Sequence, residues 1–289
     1  MNITELFSIE ELDRAARALF EKERETKRLD GWFISREIAR ECDERLKDMP
    51  NILIAAHTLK SIAESLPLYI DDNAIFAGTQ DDAFARSYAL INPSFKVESF
   101  TGYCDPTAVF DDIEPNGEFT RERINQLREY TKTTPYVKSL EKTYSGVSDY
   151  TSEAVFFIEQ VTGHLIPDFR ATLAEGIDAQ VEKINARLEK TTDAKKKLNY
   201  EAMKIALQAV LILAERYQKL ALEKYNQSTD PKQKEKYKLM TDTLSKVPRK
   251  GSANLYEAIQ SFILLWQAMC LEQAPNPFAF SVGNADRIF

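Results

Sequence analysis

His164 is the first place to look for chemistry. It is one of only two histidines among 289 residues, in the stretch Gly163-His164-Leu165-Ile166-Pro167-Asp168-Phe169-Arg170. Imidazole changes charge near neutral pH, so such a residue can orient a substrate or carry a proton. Gly163 lets the backbone bend where a side chain would obstruct it. Pro167 fixes φ and forbids a helix through 164–166, so the histidine lies on an extended or turning segment. Asp168 is placed to cap the helix that follows, and Gly176 to stop it. A histidine in a bend ahead of a helix suits a buried site; it equally suits a hydrogen-bonded core residue.

Other candidates carry less. His57 lies on a helix over 51–65, beside an apolar stripe of Leu53, Ala56, Leu59, Ile62 and Ala63, where packing is its expected role. The doublets Asp71-Asp72, Asp81-Asp82 and Asp111-Asp112 could bind a cation, although a solvated surface is the better reading. Cys42, Cys104 and Cys270 are far apart and odd in number, which points to buried or unpaired thiols in a reducing compartment. There is no Gly-rich phosphate loop, HExxH, paired-cysteine zinc spacing or GxSxG elbow. With 45 acidic against 38 basic residues the net charge is −7, which argues against general nucleic-acid binding. The start shows no basic region leading into an apolar run, and no stretch is apolar enough to span a membrane. The expectation is a cytoplasmic protein with neither nucleic-acid nor membrane partners.

Helices must position these residues. Ser8 and Glu11 form a capping box for a helix beginning near Ile9. A second runs from Ser35 to Leu46, closed by Pro50. From Pro67 the pattern changes: 68–78 reads as a turn feeding a short strand. Residues 78–115 then mix Gly and Pro with large aromatics, as pocket-lining loops or an ordered cover would. Helix returns over 118–141, broken near Pro135, and again over 151–161 before the His164 bend. Between Gly176 and Val247 there is no glycine, and the only proline is Pro231. Two long helices fit there, Ile177–Lys190 and Leu198–Tyr225, the second nearly apolar all round at 211–213 and so buried on more than one side. Asp230-Pro231 opens another helix, which stops before Val247-Pro248. Residues 254–270 form a strongly apolar helix, and 278–289 read as a strand or loop.

Four segments, in order, carry a resemblance. Gly163-His164-Leu165-Ile166-Pro167-Asp168-Phe169, with Leu173 and Gly176, resembles the GHxxPDYxxxLxxG segment of the glycyl radical enzymes related to pyruvate formate-lyase. Glu215-Arg216-Tyr217 through Leu220-Ala221 resembles their RYAxLA helix. Val247-Pro248 and Leu255-Tyr256-Glu257-Ala258-Ile259-Gln260-Ser261-Phe262 are similar to VPxxPAxTFxEAxQxxxF. Glu272 and Ser281-Val282-Gly283-Asn284-Ala285-Asp286-Arg287 resemble E…SxGRxDQ.

The resemblance implies a mostly α fold with a few short strands: the N-terminal half of the family's α/β barrel with its helical jacket, spanning 1–289. It implies that His164 and Ser281 face a small organic substrate. It further implies a glycyl radical in the full-length protein, installed by a radical SAM activating enzyme, and a homodimer. Pyruvate formate-lyase places an arginine at the position of His164, so the lyase and dehydratase branches fit better than formate C-acetyltransferase. Asn284 and Arg287 stand where Arg and Gln are usual, so the substrate does not carry over. The family's GCxE thiyl loop and RVxGY glycine loop do not occur in these residues, and no catalytic residue is assigned in the chain. A helical scaffold or partner-binding protein derived from the same fold is the rival reading.

Overall fold

The computed structural model describes residues 3–25, 32–78, 121–145, 167–272 and 283–289. The expected helix over 151–161, the aromatic cover and the Asp81-Asp82 and Asp111-Asp112 doublets lie outside them. The elements are α1 (Ile3–Leu6), α2 (Ile9–Glu25), α3 (Trp32–Leu46), α4 (Asn51–Ser65), α5 (Arg121–Thr133) and α6 (Pro135–Ser145). They continue with α7 (Phe169–Lys190), α8 (Ala194–Gln227), α9 (Pro231–Leu244), α10 (Leu255–Glu272) and α11 (Ala285–Ile288). The barrel itself is not seen among the described residues.

The caps explain where the helices start. Ser8 N–H donates to Glu11 Oε2 at 2.8 Å and Glu11 N–H to Ser8 Oγ at 3.2 Å, the reciprocal pair expected of a capping box. The side chain of Asp168 accepts from Arg170 N–H, Asp193 from Lys195 and Lys196, and Asp230 from Lys232 and Gln233. The core gathers around α8, which packs against α4, α7, α9 and α10. Ala209, Leu213, Ala214 and Tyr217 of α8 meet Leu59, Ile62 and Ala63 of α4 and Met240 of α9 in one apolar cluster. Burial on several sides is what its apolar girth required.

Gly176 ends the first piece of α7, as expected, but the chain kinks and continues. Its φ of 84° and ψ of 169° interrupt the helix, which resumes at Ile177. The stretch Val247–Gly251 is wedged into that break. Ile177 N–H donates to Pro248 O at 2.9 Å, Asp178 N–H to Arg249 O at 3.1 Å, and Ser252 N–H to Leu173 O at 2.8 Å. The orphan amides and carbonyl left by the kink thereby find backbone partners. A Cβ at Gly176 would lie 2.5 Å from Lys250 Cα, and one at Gly251 would lie 2.8 Å from the carbonyl carbon of Ala174. Neither distance is sterically tolerable.

The strand expected within 68–78 is absent, and no strand occurs among the described residues. The apolar run of Ile70, Ile75 and Phe76 resembles a strand, but its polar backbone groups are met by side chains instead. Asn73 N–H donates to Asp71 Oδ1 at 2.8 Å in a local turn. Ala77 exchanges two bonds with the Gln260 amide, at 2.9 and 2.7 Å. The Tyr256 hydroxyl donates to Ile75 O and the Lys236 ammonium to Asp72 O. Likewise, 283–289 form one helical turn, with Arg287 N–H on Asn284 O, rather than a strand or loop.

Asp71 and Asp72 are each paired with a lysine. Lys22 pairs with Asp71, while Asp72 Oδ1 accepts from Lys224 and from the Tyr237 hydroxyl, each at 2.7 Å. Those bonds hold the Asp72 carboxyl below the usual carboxylate range. Beneath them Lys236 is 1% exposed. Burial pushes its ammonium down to about 8, against the pull of Asp72 and Asp71 and helped by the repulsion of Lys224.

Two outcomes follow. Gly176→Ala should destabilise the chain by about 3 kcal/mol, from left-handed backbone strain plus the collision with Lys250; a urea melt indistinguishable from wild type would refute the joint. The folded ammonium of Lys236 titrates below the unfolded one, so the unfolded chain binds more protons above about pH 8 and stability rises with pH there. Tyr237 and Tyr256, raised by burial, reverse the trend once unfolded phenols ionise near pH 10. Between about pH 8 and 9.5 urea melts should show a gain on the order of 1 kcal/mol that Lys236→Met abolishes; equal slopes in both proteins would contradict it.

Candidate functional site

His164 and Ser281, the predicted substrate contacts, both lie outside the described residues, as does Cys104. What the structure describes is the frame on either side of them. Pro167 and Asp168 lead out of the His164 segment into α7, and Phe169, 3% exposed, seats the first turn in the core. On the other side α10 ends at Glu272, and the chain is described again from Gly283. The φ of 75° at Gly283 is a backbone that glycine adopts without steric penalty.

These two frames share a cleft. A cavity of about 600 Å³ opens between α4, α7, α8 and α10. Pro167 and Asp168 line it at the start of α7, Met269 and Glu272 at the end of α10, and Ile52 and Met203 form exposed apolar parts of the lining. Its few polar groups are already engaged in part: Asp168 accepts from Arg170 N–H at 3.2 Å and from Arg170 Nε at 3.3 Å. A volume of this size with mainly apolar walls can hold a small organic molecule or an apolar side-chain cluster. Among the described residues no group of three His, Cys, Asp or Glu side chains is placed to hold a metal ion.

The residues that carry the family pattern mostly build this frame. Arg216 donates to Ala63 O at 2.7 Å and Leu66 O at 2.6 Å, closing the orphan carbonyls at the end of α4. Its neighbour Tyr217 is buried and accepts from Gln267 Nε2 at 2.9 Å, tying α8 to α10. Glu257 is 4% exposed; its N–H donates to Asn254 Oδ1 at 3.0 Å and its carboxylate accepts from Ala253 N–H at 2.8 Å. These two bonds cap the start of α10. Gln260, one turn on, clamps Ala77. At the far end the Arg36 guanidinium donates to Leu271 O, and burial pushes it down to about 10 despite the attraction of Glu272. Sequence reasoning missed Arg36 and Lys236, whose partners are more than 150 positions away and leave no local signal.

The two described thiols sit in the helical core. Cys42 on α3 and Cys270 on α10 are each 1% exposed. Cys270-Leu271-Glu272 reproduces the CxE spacing, but on a helix packed against α4 and α8 rather than on a loop. His57 is half-buried on α4, beside the buried stripe that was expected there.

Comparison with known proteins agrees with this frame. The sequence model of the pyruvate formate lyase-like family matches residues 8–289. Isethionate sulfite-lyase of Nitratidesulfovibrio vulgaris is 23% identical over 256 residues, which cover 81% of this chain and 30% of that protein. The B12-independent glycerol dehydratase from Clostridium butyricum, solved with glycerol bound, superposes with a TM-score of 0.66 at 23% identity. There the match covers 88% of this chain and 33% of the dehydratase. A glycyl radical enzyme from Archaeoglobus fulgidus gives 0.64 at 19% identity, covering 91% and 35%. The chain thus spans about a third of the length of these relatives. With its motif residues forming the joints of a shared fold, the chain belongs to the pyruvate formate lyase-like family of glycyl radical enzymes.

Proposed function

We propose that these residues form the substrate-orienting N-terminal portion of a glycyl radical lyase or dehydratase acting on a small organic molecule. The observation that carries this is the order of the four segments, whose described members build one helical frame next in sequence to His164 and Ser281. His164 would hydrogen-bond the substrate on one side and Ser281 on the other. The hydrogen-abstracting thiyl and the stored glycyl radical, installed by a radical SAM activating enzyme, would supply the bond-breaking chemistry. Neither a GCxE nor an RVxGY sequence occurs in this chain, so its own residues bind, orient and exclude water. An oxygen-free cytoplasm is the setting such a radical needs.

A histidine in place of an arginine at 164 disfavours a substrate carboxylate there. It therefore supports a lyase or dehydratase over formate C-acetyltransferase.

The test is anaerobic activation of the polypeptide, expressed with whatever coding sequence continues its frame, together with its activating enzyme. Glycerol, 1,2-propanediol, isethionate, and pyruvate with coenzyme A are offered as substrates. A glycyl radical signal with turnover of one of the first three is expected. Turnover of pyruvate alone would select the acetyltransferase reading, and absence of any radical would select the scaffold. In the active protein His164→Ala should lower kcat/KM on the order of 100-fold with the melting temperature nearly unchanged. A loss of folding with no separate kinetic effect would make His164 a core residue instead.

A further inference from the structure

We infer that, independently of the functional reading above, residues 67–78 form a strap that opens as one unit from α9 and α10, with Lys236 as its latch. The strap has no helix or strand of its own. Among the described residues its backbone bonds to no other element's backbone. Three side chains on two helices hold its main chain instead. The Lys236 ammonium of α9 donates to Asp72 O, the Tyr256 hydroxyl of α10 donates to Ile75 O, and Gln260 of α10 exchanges two bonds with Ala77. Of the strap's residues only Ile70 and Ala77 are buried, so little apolar surface resists its opening.

Both ends are fixed. Arg216 donates to Leu66 O at 2.6 Å, and Gly78 lies against α10, where an added Cβ would meet Leu264 Cδ2 at 3.1 Å. A segment with few buried contacts between two fixed ends can open while the core around it stays folded. Phe76, stacked on Tyr256 with ring centroids 4.7 Å apart, forms part of the wall of a cavity of about 510 Å³ between α1, α9 and α10. Opening the strap would carry Phe76 away and turn that cavity into a groove.

The latch is a buried cation. Facing the Lys236 ammonium are Asp71 and Asp72 of the strap, Lys224 of α8, Asp230 ahead of α9, and the Tyr237 ring at 4.7 Å. Asp71 is shared with Lys22 of α2, and Asp72 with Lys224. Opening the strap returns the ammonium to water. Burial holds it down to about 8 while the strap is shut, whereas a hydrated lysine titrates at about 10.4. Opening therefore takes up a proton between those values, and rising pH shuts the strap.

The experiment is native-state hydrogen exchange on the full-length protein, read at Ala74, Ala77 and Leu213 and corrected for the intrinsic rate at each pH. Ala74 N–H is bonded within the strap to Asp71 O, and Ala77 N–H to Gln260, so the two exchange alike only if the strap opens whole. Both should exchange at least about tenfold faster than Leu213 and within about twofold of each other. Lowering the pH from about 9 to about 7 should raise their opening about tenfold in the wild type and leave it flat in Lys236→Met. Tyr256→Phe, which removes the bond to Ile75 O, should speed both amides about three- to tenfold with Leu213 unchanged. Strap exchange at the rate of Leu213, a response of only one strap amide to Tyr256→Phe, or an equal pH dependence in Lys236→Met would overturn the inference. If Lys236→Met does not fold, Tyr256→Phe and the wild-type pH series decide it, and an opening independent of pH in the wild type removes the latch.

Discussion

The structure depends on a backbone-to-backbone joint between Gly176 and the stretch ending at Gly251. Three hydrogen bonds, from Ile177, Asp178 and Ser252, cross a gap in which neither side has room for a Cβ. An interrupted helix would otherwise leave amides and carbonyls buried without partners, each costing about 1–3 kcal/mol. Here the loop after α9 supplies the missing turn. The joint therefore sets the direction of α7 and the start of α10 at once. In the chain those two helices lie next to the segments that carry His164 and Ser281.

A second constraint follows from the first. With α10 fixed in place, its inner face can serve as a polar template for a segment with no regular structure of its own. Gln260 and Tyr256 satisfy the backbone at Ala77 and Ile75, and Lys236 reaches Asp72 from α9. Burying an amide or an ammonium is unfavourable unless its bonds are met. These side chains, on α9 and α10, meet them. Arg216 and Arg36 do the same for the ends of α4 and α10. The motif residues Arg216, Tyr217, Glu257 and Gln260 are thus struts of the helical frame.

Helices were legible because their signals are local. The Ser8 and Glu11 box, Asp230 before Pro231, and the stripe from Leu53 to Ala63 each declare a start or a face within a few residues, and each is seen as read. Segment 68–78 was misread because an apolar run looks the same whether its backbone pairs with a strand or with side chains about 180 positions later. The doublet Asp71-Asp72 was read as solvated, and Asp72 is indeed 78% exposed; that Lys22, Lys224 and Tyr237 reach the pair was not legible, because only the tertiary fold brings them there. At the site, the cap at Asp168 and the break at Gly176 were legible from residue type. The role of Arg36 was not, because an arginine on a charged helix gives no hint of a carbonyl 235 positions away.

The joint can be tested most directly through its own amides. Native-state hydrogen exchange on the whole chain should show Ile177, Asp178 and Ser252 protected to the same degree as Leu213 in the middle of α8, because opening them requires α7, α10 and the intervening loop to separate together. Exchange of those three amides at the rate of a solvated loop, while Leu213 remains protected, would contradict the claim that the Gly176–Gly251 contact organises the fold.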